Sequence, residues 1–422
     1  MSPGGKRLLL FAGGVAAGFV VAELALQVYA LIVPRRSNVI VRALAPLSFP
    51  DARLGRLPNP DFPDHDANGY RNETVPRQAE IVALGDSQTY GTHVLRAETW
   101  PSRLQAESGR TTYNISNGGW SPTQSLMVLD RALALRPRLV IEAFYSGNDL
   151  YDGFATVYVR GQLPELRTTD ASAAAAIRDA EAREPLQTRY SRLYDRVLGG
   201  GTMEADQRSE ALRSGFRGFV REHFQLYRLA RVMKNAGAAK RSSPTWEEEK
   251  HDAEVGAGHE LLRVVDSGGV RTIFTPVFRS EGMNLEDPRL VEGYRIDLEA
   301  ISRIGERVRA SGADYLVLLV PTKELVFRES IPAALQSDPV FRRAVEDEQE
   351  IRRRTIAFLD EHGIAYADPL PALRASLARG EPPYPANIDG HPNPQGHRVI
   401  ARFVLEEIER RGLPAARATG SR

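Results

Sequence analysis

A serine that follows an apolar run is the first residue of this chain whose setting suggests chemistry. The stretch Ile81-Val82-Ala83-Leu84-Gly85-Asp86-Ser87-Gln88-Thr89 reads as a strand that breaks into Gly-Asp-Ser and then a short helix. A hydroxyl there stands at the carboxyl end of a strand, where open α/β sheets hold their ligands. The helix N-terminus supplies free N–H groups and partial positive charge, which suit a developing oxyanion. Taken alone, such a serine is more often a loop residue capping a helix.

Three further segments alter that balance. Asn114-Ile115-Ser116-Asn117-Gly118-Gly119-Trp120 follows a second apolar run, and a glycine there lets its N–H approach a substrate oxygen closely. Ser146-Gly147-Asn148-Asp149 follows a third, and an Asn side chain there is placed to donate to the same oxygen. Near the C-terminus, Asp389-Gly390-His391-Pro392-Asn393 puts a carboxylate and an imidazole in one tight turn before a helix. A serine hydroxyl is a poor nucleophile until an imidazole takes its proton, and that imidazole needs an orienting acceptor. The first three segments each sit directly after a predicted strand, so they converge on one rim of a sheet.

Together the four segments resemble the conserved blocks of SGNH hydrolases, also called GDSL esterases. Gly85-Asp86-Ser87 with Thr89 is similar to the nucleophile block, within matched regions 80–150 and 315–411. The resemblance implies Ser87 as nucleophile and Asp389 and His391 as its acid and base. It also implies an oxyanion hole from the Ser87 N–H, Gly119 (the fifth residue after Asn114) and the Asn148 side chain. Gly69-Tyr70-Arg71-Asn72 is similar to a stretch in bacterial members that carry an N-terminal membrane helix. Two positions depart from the pattern. Ser146 stands where the family usually has Gly. The last block is Asp389-x-His391 rather than Asp-x-x-His, with Ile388 in the usual Asp position. Asp-x-His is the spacing of the polysaccharide O-acetyltransferase branch, which carries it before the serine. Either Asp389 orients His391 from one residue closer, or His391 works with a backbone acceptor.

The resemblance implies an ester hydrolase working through an acyl-enzyme, without cofactor or metal, on an acylated small molecule, glycan or lipid. Two alternatives accompany it: an O-acyltransferase that acetylates an envelope polysaccharide, and a non-catalytic envelope scaffold with a decayed site. Other residues carry two readings each. Trp120 lines an acyl or sugar pocket, or packs in the core. Lys323, in Pro321-Thr322-Lys323-Glu324 after another apolar run, binds an anionic substrate group or simply starts a helix. His397 joins Asp389 and His391 around a metal, or lies on a helix face. Asp64-His65-Asp66 holds a cation, or is a solvated loop. P-loop, His-Glu-x-x-His and dinucleotide fingerprints are absent from the sequence.

The elements that must position these groups follow a strand–helix alternation. Strands are expected over Glu80–Leu84, Thr112–Ile115, Leu139–Phe144, Tyr315–Val320 and Ile364–Ala367. Helices are expected over Glu98–Ser108, Gln124–Leu135, Phe341–Glu361 and Gly396–Arg411. That grammar gives a three-layer α/β/α sandwich with a mainly parallel sheet, the flavodoxin-like arrangement of the SGNH fold. Residues 79–150 and 291–414 form its two parts. Between them, 151–290 reads as a helical insertion, with Ala171–Ala182 and an arginine-bearing helix over Ser209–Lys234; Gly199–Gly201 and Ser242–Lys250 read as loops. Residues 38–78 form a Pro- and Asp-rich connector, and 415–422 a disordered tail.

Ahead of these lies an apolar run, Leu8 to Val33, interrupted by Glu23 and Gln27 and flanked by Lys6, Arg7, Arg35 and Arg36. It is longer than the 7–15 apolar residues of a signal peptide and long enough to cross a bilayer as a helix. Residues 1–37 are therefore expected to be a single-pass anchor, with the catalytic domain extracytoplasmic, in the periplasm; a signal peptide cleaved near Val28-Tyr29-Ala30 is the competing reading. The flanking charges nearly balance and leave the orientation open. Glu23 within the span calls for a protonated or interface-reaching side chain, or a helix–helix contact. Of the 422 residues, 42% are hydrophobic and 26% charged, ample for a packed core. A net charge of +1 argues against a nucleic-acid partner. With no cysteine, disulfides, a thiol nucleophile and Cys-ligated zinc are excluded. Nothing in the sequence marks an oligomeric state.

Overall fold

Five parallel strands organise the computed structural model, which describes residues 3–34, 38–198, 224–238 and 244–413. We number them β1 (Ile81–Gly85), β2 (Thr112–Ser116), β3 (Leu139–Phe144), β4 (Asp314–Leu319) and β5 (Ala365–Ala367). Their order across the sheet is β2-β1-β3-β4-β5. Ile81 pairs with Thr112 on one side and Leu139 on the other, and Leu139 continues to Asp314. The strands are apolar on both faces because helices cover both. Val82, Leu84, Val140 and Phe144 pack toward the helices Pro122–Ala134 and Pro288–Ala310. Ile81, Ala83, Leu139 and Ile141 pack toward Trp100–Ser108 and Pro394–Arg410. This is the expected three-layer sandwich, with each predicted strand found within one residue at either end.

The order reverses direction around β1 and β3, and ligands in such sheets bind at that switch point, outside the carboxyl ends of the strands. Gly85, the last residue of β1, adopts φ +147, and a Cβ there would lie 2.5 Å from Thr89 Oγ1. Only glycine allows the chain to leave the sheet this sharply and start a helix at Ser87.

The region between β3 and β4 differs from a purely helical insertion. It contains an antiparallel hairpin, Arg263–Ser267 with Val270–Phe274, whose Ile273 N–H donates to Ala386 O beside the Asp389 loop. Part of the segment expected as loop is helix: Thr245 caps Trp246–Val255 through a reciprocal bond with Glu248, a Thr-x-x-Glu signal present in the sequence. Gly199–Gly201, most of the arginine-bearing helix expected over 209–234, and the tail 415–422 lie outside the described residues; Gln225–Ala238 is helical.

The N-terminal helix Pro3–Ile32 contains one segment, Leu10–Ile32, long and apolar enough to cross a membrane, and it is not buried against the protein. Both membrane anchors and signal sequences have that form. Glu23 makes a helix–helix contact there: its two oxygens accept the N–H groups of Gln225 and Leu226, at 2.8 Å each. Residues 38–78 fold onto the sandwich. The strands Ser48–Asp51 and Gly55–Pro58 form a hairpin there, and the Gly69–Asn72 stretch ties into the site as described below.

Candidate active site

Ser87 is the first residue of the helix Ser87–Tyr90, so its own N–H has no partner within the helix. Asp86 caps that helix by accepting the Gln88 N–H at 2.8 Å. The end of β2 is tied to it. Asn117 N–H donates to Gly85 O, and Asn114 Nδ2 donates to Thr89 O at 3.0 Å. Asn72, from the Gly-Tyr-Arg-Asn stretch, exchanges two hydrogen bonds with the Asn114 backbone, at 2.8 and 2.9 Å.

His391 comes to Ser87 from 304 residues away. Its Nε2 lies 2.9 Å from Ser87 Oγ, and its Nδ1 lies 2.6 Å from Asp389 Oδ1. Asp389 also accepts the His391 backbone N–H at 3.0 Å, which makes the Asp-x-His spacing workable: the carboxylate folds back onto its own turn. The carboxylate is an acceptor, so Nδ1 carries the ring proton and Nε2 presents its lone pair to the hydroxyl. Burial alone would push the Asp389 carboxyl up. The hydrogen bonds from His391 and then His93 pull it well below the usual carboxylate range. Ser87 Oγ also lies 3.4 Å from Asp86 Oδ2, a weaker contact than that to His391.

Of the predicted oxyanion groups, Ser87 has its own N–H at the helix start, and the Gly118–Gly119 turn lies beside it. Asn117 to Trp120 form a turn closed by the Trp120 N–H to Asn117 O bond, with Gly119 at φ +73. Gly118 faces the nucleophile, its Cβ position 3.8 Å from Ser87 Cβ, while Gly119 is exposed. Neither N–H has a backbone partner among the described residues. Asn148 is half-buried and donates one Nδ2 proton to Asp152 at 2.8 Å, which leaves the second for another acceptor. Beneath them lies a set of buried acids. Burial pushes Asp86 and Asp152 up to about 6 and Glu142, on β3, up to about 8. At neutral pH, Glu142 therefore holds its proton and adds no negative charge beneath the site.

Two predicted substrate contacts are corrected. Trp120 is fully buried; its ring packs edge-on to Tyr70 at 6.3 Å and its Nε1–H donates to Arg56 O at 3.0 Å. It belongs to the core and presents no face to a ligand. Lys323 is 1% exposed, and its ammonium donates to Ile273 O, Asn387 O and Asp389 O at 3.1, 2.6 and 3.4 Å. It holds the loop that carries Asp389 and His391 against the hairpin, so no donor remains for a substrate anion. Burial pulls it down to about 7.

The remaining candidates are structural. His397 is fully buried and accepts the Trp100 N–H on Nδ1, away from Asp389. His65 bonds Asn59 O and the Tyr90 hydroxyl, Asp64 pairs with Arg71, and Asp66 accepts backbone N–H groups of Asn68 and Tyr70. That loop builds structure and does not converge on a cation. An open cavity of about 490 Å³ lined by Glu80, Arg136 and Arg138 lies at the amino-terminal ends of the strands, opposite Ser87.

Two neighbours of the site carry no motif and are found only in three dimensions. Arg279 is buried between the loops of Gly147 and Gly390. A Cβ on Gly390 would lie 2.3 Å from its Nη2, so Gly390 must be glycine while the guanidinium is there. His93 bonds the second oxygen of Asp389 at 2.6 Å. The ligand atoms of His93, Asp389 and His391 lie within 4.8 Å of one another, a spacing open to a metal ion. Both carboxylate oxygens are already engaged in short hydrogen bonds, which account for the clustering.

The sequence matches no family model and no curated protein. Solved structures similar to the chain include a GDSL-like lipase from Bacteroides thetaiotaomicron, 10% identical, TM-score 0.33, covering 80% of this chain and 93% of that one. A member of the lipolytic protein G-D-S-L family from Veillonella parvula is 11% identical, TM-score 0.32, covering 78% and 98%. An acetylxylan esterase from Geobacillus stearothermophilus is 11% identical, TM-score 0.35, covering 79% and 95%.

Proposed function

We propose that the chain is an SGNH-type ester hydrolase, with Ser87 as nucleophile, His391 as base and Asp389 as the acid that orients it. The observation that supports this most is the unbroken line Ser87 Oγ–His391–Asp389, with contacts of 2.9 and 2.6 Å. As Ser87 Oγ bonds to the ester carbonyl carbon, its proton passes to His391 Nε2. Negative charge on the former carbonyl oxygen is received by the Ser87 N–H, the Gly118–Gly119 turn and Asn148. Collapse of this adduct breaks the ester C–O bond, and His391 returns the proton to the departing alcohol. Water then repeats the sequence on the acyl-enzyme, releasing the acid and restoring Ser87.

The apolar N-terminal helix supports a membrane-held enzyme acting outside the cytoplasm on O-acyl groups of a glycan or lipid. The Asp-x-His spacing favours one variant of this chemistry, transfer of the acyl group to a sugar hydroxyl in place of water. The full chain in detergent should hydrolyse short p-nitrophenyl esters, and Ser87→Ala should lose about 10³-fold or more of kcat. Undiminished turnover in Ser87→Ala refutes the reading. Adding polysaccharide acceptors and measuring acylated product against free acid separates transfer from hydrolysis.

A further inference from the structure

Asp389 belongs to the same turn as His391, and both of its bonds to that residue fall on Oδ1. Nothing in that turn restrains Oδ2. His93 does so from a segment 296 residues distant, with Nδ1 at 2.6 Å.

We propose that His93 is a positioning residue of this site, pinning the free oxygen of Asp389 so that the carboxylate stays aligned on His391; this rests on the ester-hydrolase reading above. The loop that carries it is built for the purpose. The segment from Asp86 to Val94 supplies the nucleophile at one end and His93 at the other, turned between them by Gly91 at φ +77. His93 itself has φ +65, a left-handed conformation that a residue with a Cβ seldom adopts. Arg71 ties the loop on both sides of it, donating to the carbonyls of Tyr90, Gly91 and Val94 while Asp64 balances its charge. A backbone strained at a site and held there by three bonds from elsewhere indicates that the side chain it presents has a use. The ring of His93 stands edge-on to His391, centroids 6.0 Å apart. Its side chain is 71% exposed. Among the described residues, Asp389 and His391 are the titratable groups against its ring; Arg71, with Asp64 and Arg96 beside it, binds the loop's backbone. The bond to Asp389 raises the proton affinity of His93 above the ordinary histidine range, against its partial burial.

The test compares His93→Gly, which suits the left-handed backbone, with His93→Asn, which retains a side-chain N–H donor. His93→Gly should lower kcat for p-nitrophenyl esters about 10- to 100-fold at unchanged KM, the loss that follows misplacement of a catalytic group by an ångström or less. Its thermal midpoint should not fall at pH 8, which excludes a folding defect as the cause. His93→Asn should recover kcat to within about threefold of the wild type. Wild-type kcat in His93→Gly, or an Asn variant as slow as the Gly variant, overturns the proposal. One readout is independent of turnover: the His391 Nδ1–H proton resonance should shift in His93→Gly. If the wild type neither hydrolyses esters nor reacts with a fluorophosphonate, the hydrolase reading fails. The role of His93 is then decided by that resonance, and an unmoved signal overturns it.

Discussion

Acidification from pH 7 to pH 5 should destabilise this protein through one buried ring, and the size of the effect follows from its surroundings. His397 is fully enclosed, accepts the Trp100 N–H on Nδ1, and has no partner for Nε2 among the described residues. Burial first, and then the positive charges of His391, Arg103 and Arg71, pull its pKa from 6.5 to about 3. In the unfolded chain the ring takes its proton near 6.5; in the folded chain it resists until about 3. Between those values the unfolded state binds the extra proton, so stability falls as pH falls. At pH 5 the loss is about 2 kcal/mol, from about 1.4 kcal/mol for each pH unit below 6.5. Buried acids such as Glu142 and Glu348, raised to about 8 and 7, act in the opposite sense, so the wild type's own pH profile is not diagnostic. His397→Asn keeps an acceptor for Trp100 and removes the titration. The assay is urea unfolding of both proteins at pH 7 and pH 5. The wild type's stability relative to the variant should drop by about 2 kcal/mol between the two conditions. A difference that stays constant means that His397 is protonated in the folded protein or reaches solvent, and refutes the reasoning.

Two further substitutions test the corrected residues. Lys323→Met should lower kcat by about tenfold with KM within about twofold, because the loop bearing Asp389 loses its anchor; a KM rise at constant kcat in steady-state assays would restore a substrate-binding role. Trp120→Phe should leave KM for short and long acyl esters unchanged, while urea denaturation shows a loss of about 1–3 kcal/mol from the lost indole N–H bond to the Arg56 carbonyl and the smaller ring.

How much of this was legible beforehand differs residue by residue. The strands were legible because β1, β3 and β4 are mostly apolar runs bounded by turn residues, interrupted in β3 only by Glu142. Ser87, Asn148, Asp389 and His391 were legible because each sits at a strand end or in a short motif; the structure places His391 against Ser87 and Asp389 against His391. The direction of a side chain was not. Trp120 and Lys323 occupy rim positions in sequence, and whether each points out to a ligand or in to the core depends on partners, Arg56 and Asn387, that are distant in the chain. His93 was invisible for a related reason. A lone histidine after Gly91-Thr92 has no periodicity and no motif, and its partner lies 296 residues on. Arg279 likewise gains meaning only when the loops of Gly147 and Gly390 close around it. The helix Trp246–Val255 was legible in principle, from Thr245 and Glu248, and was obscured by the surrounding Ser, Pro and charged residues.

The central claim is that the hydroxyl at position 87 is made nucleophilic by the imidazole at position 391. Mass-spectrometric mapping of a fluorophosphonate adduct on the full chain tests it most directly. The account predicts a single adduct on Ser87 that forms at least about 100-fold more slowly in His391→Ala. An adduct on any other residue, or an undiminished rate in His391→Ala, contradicts it.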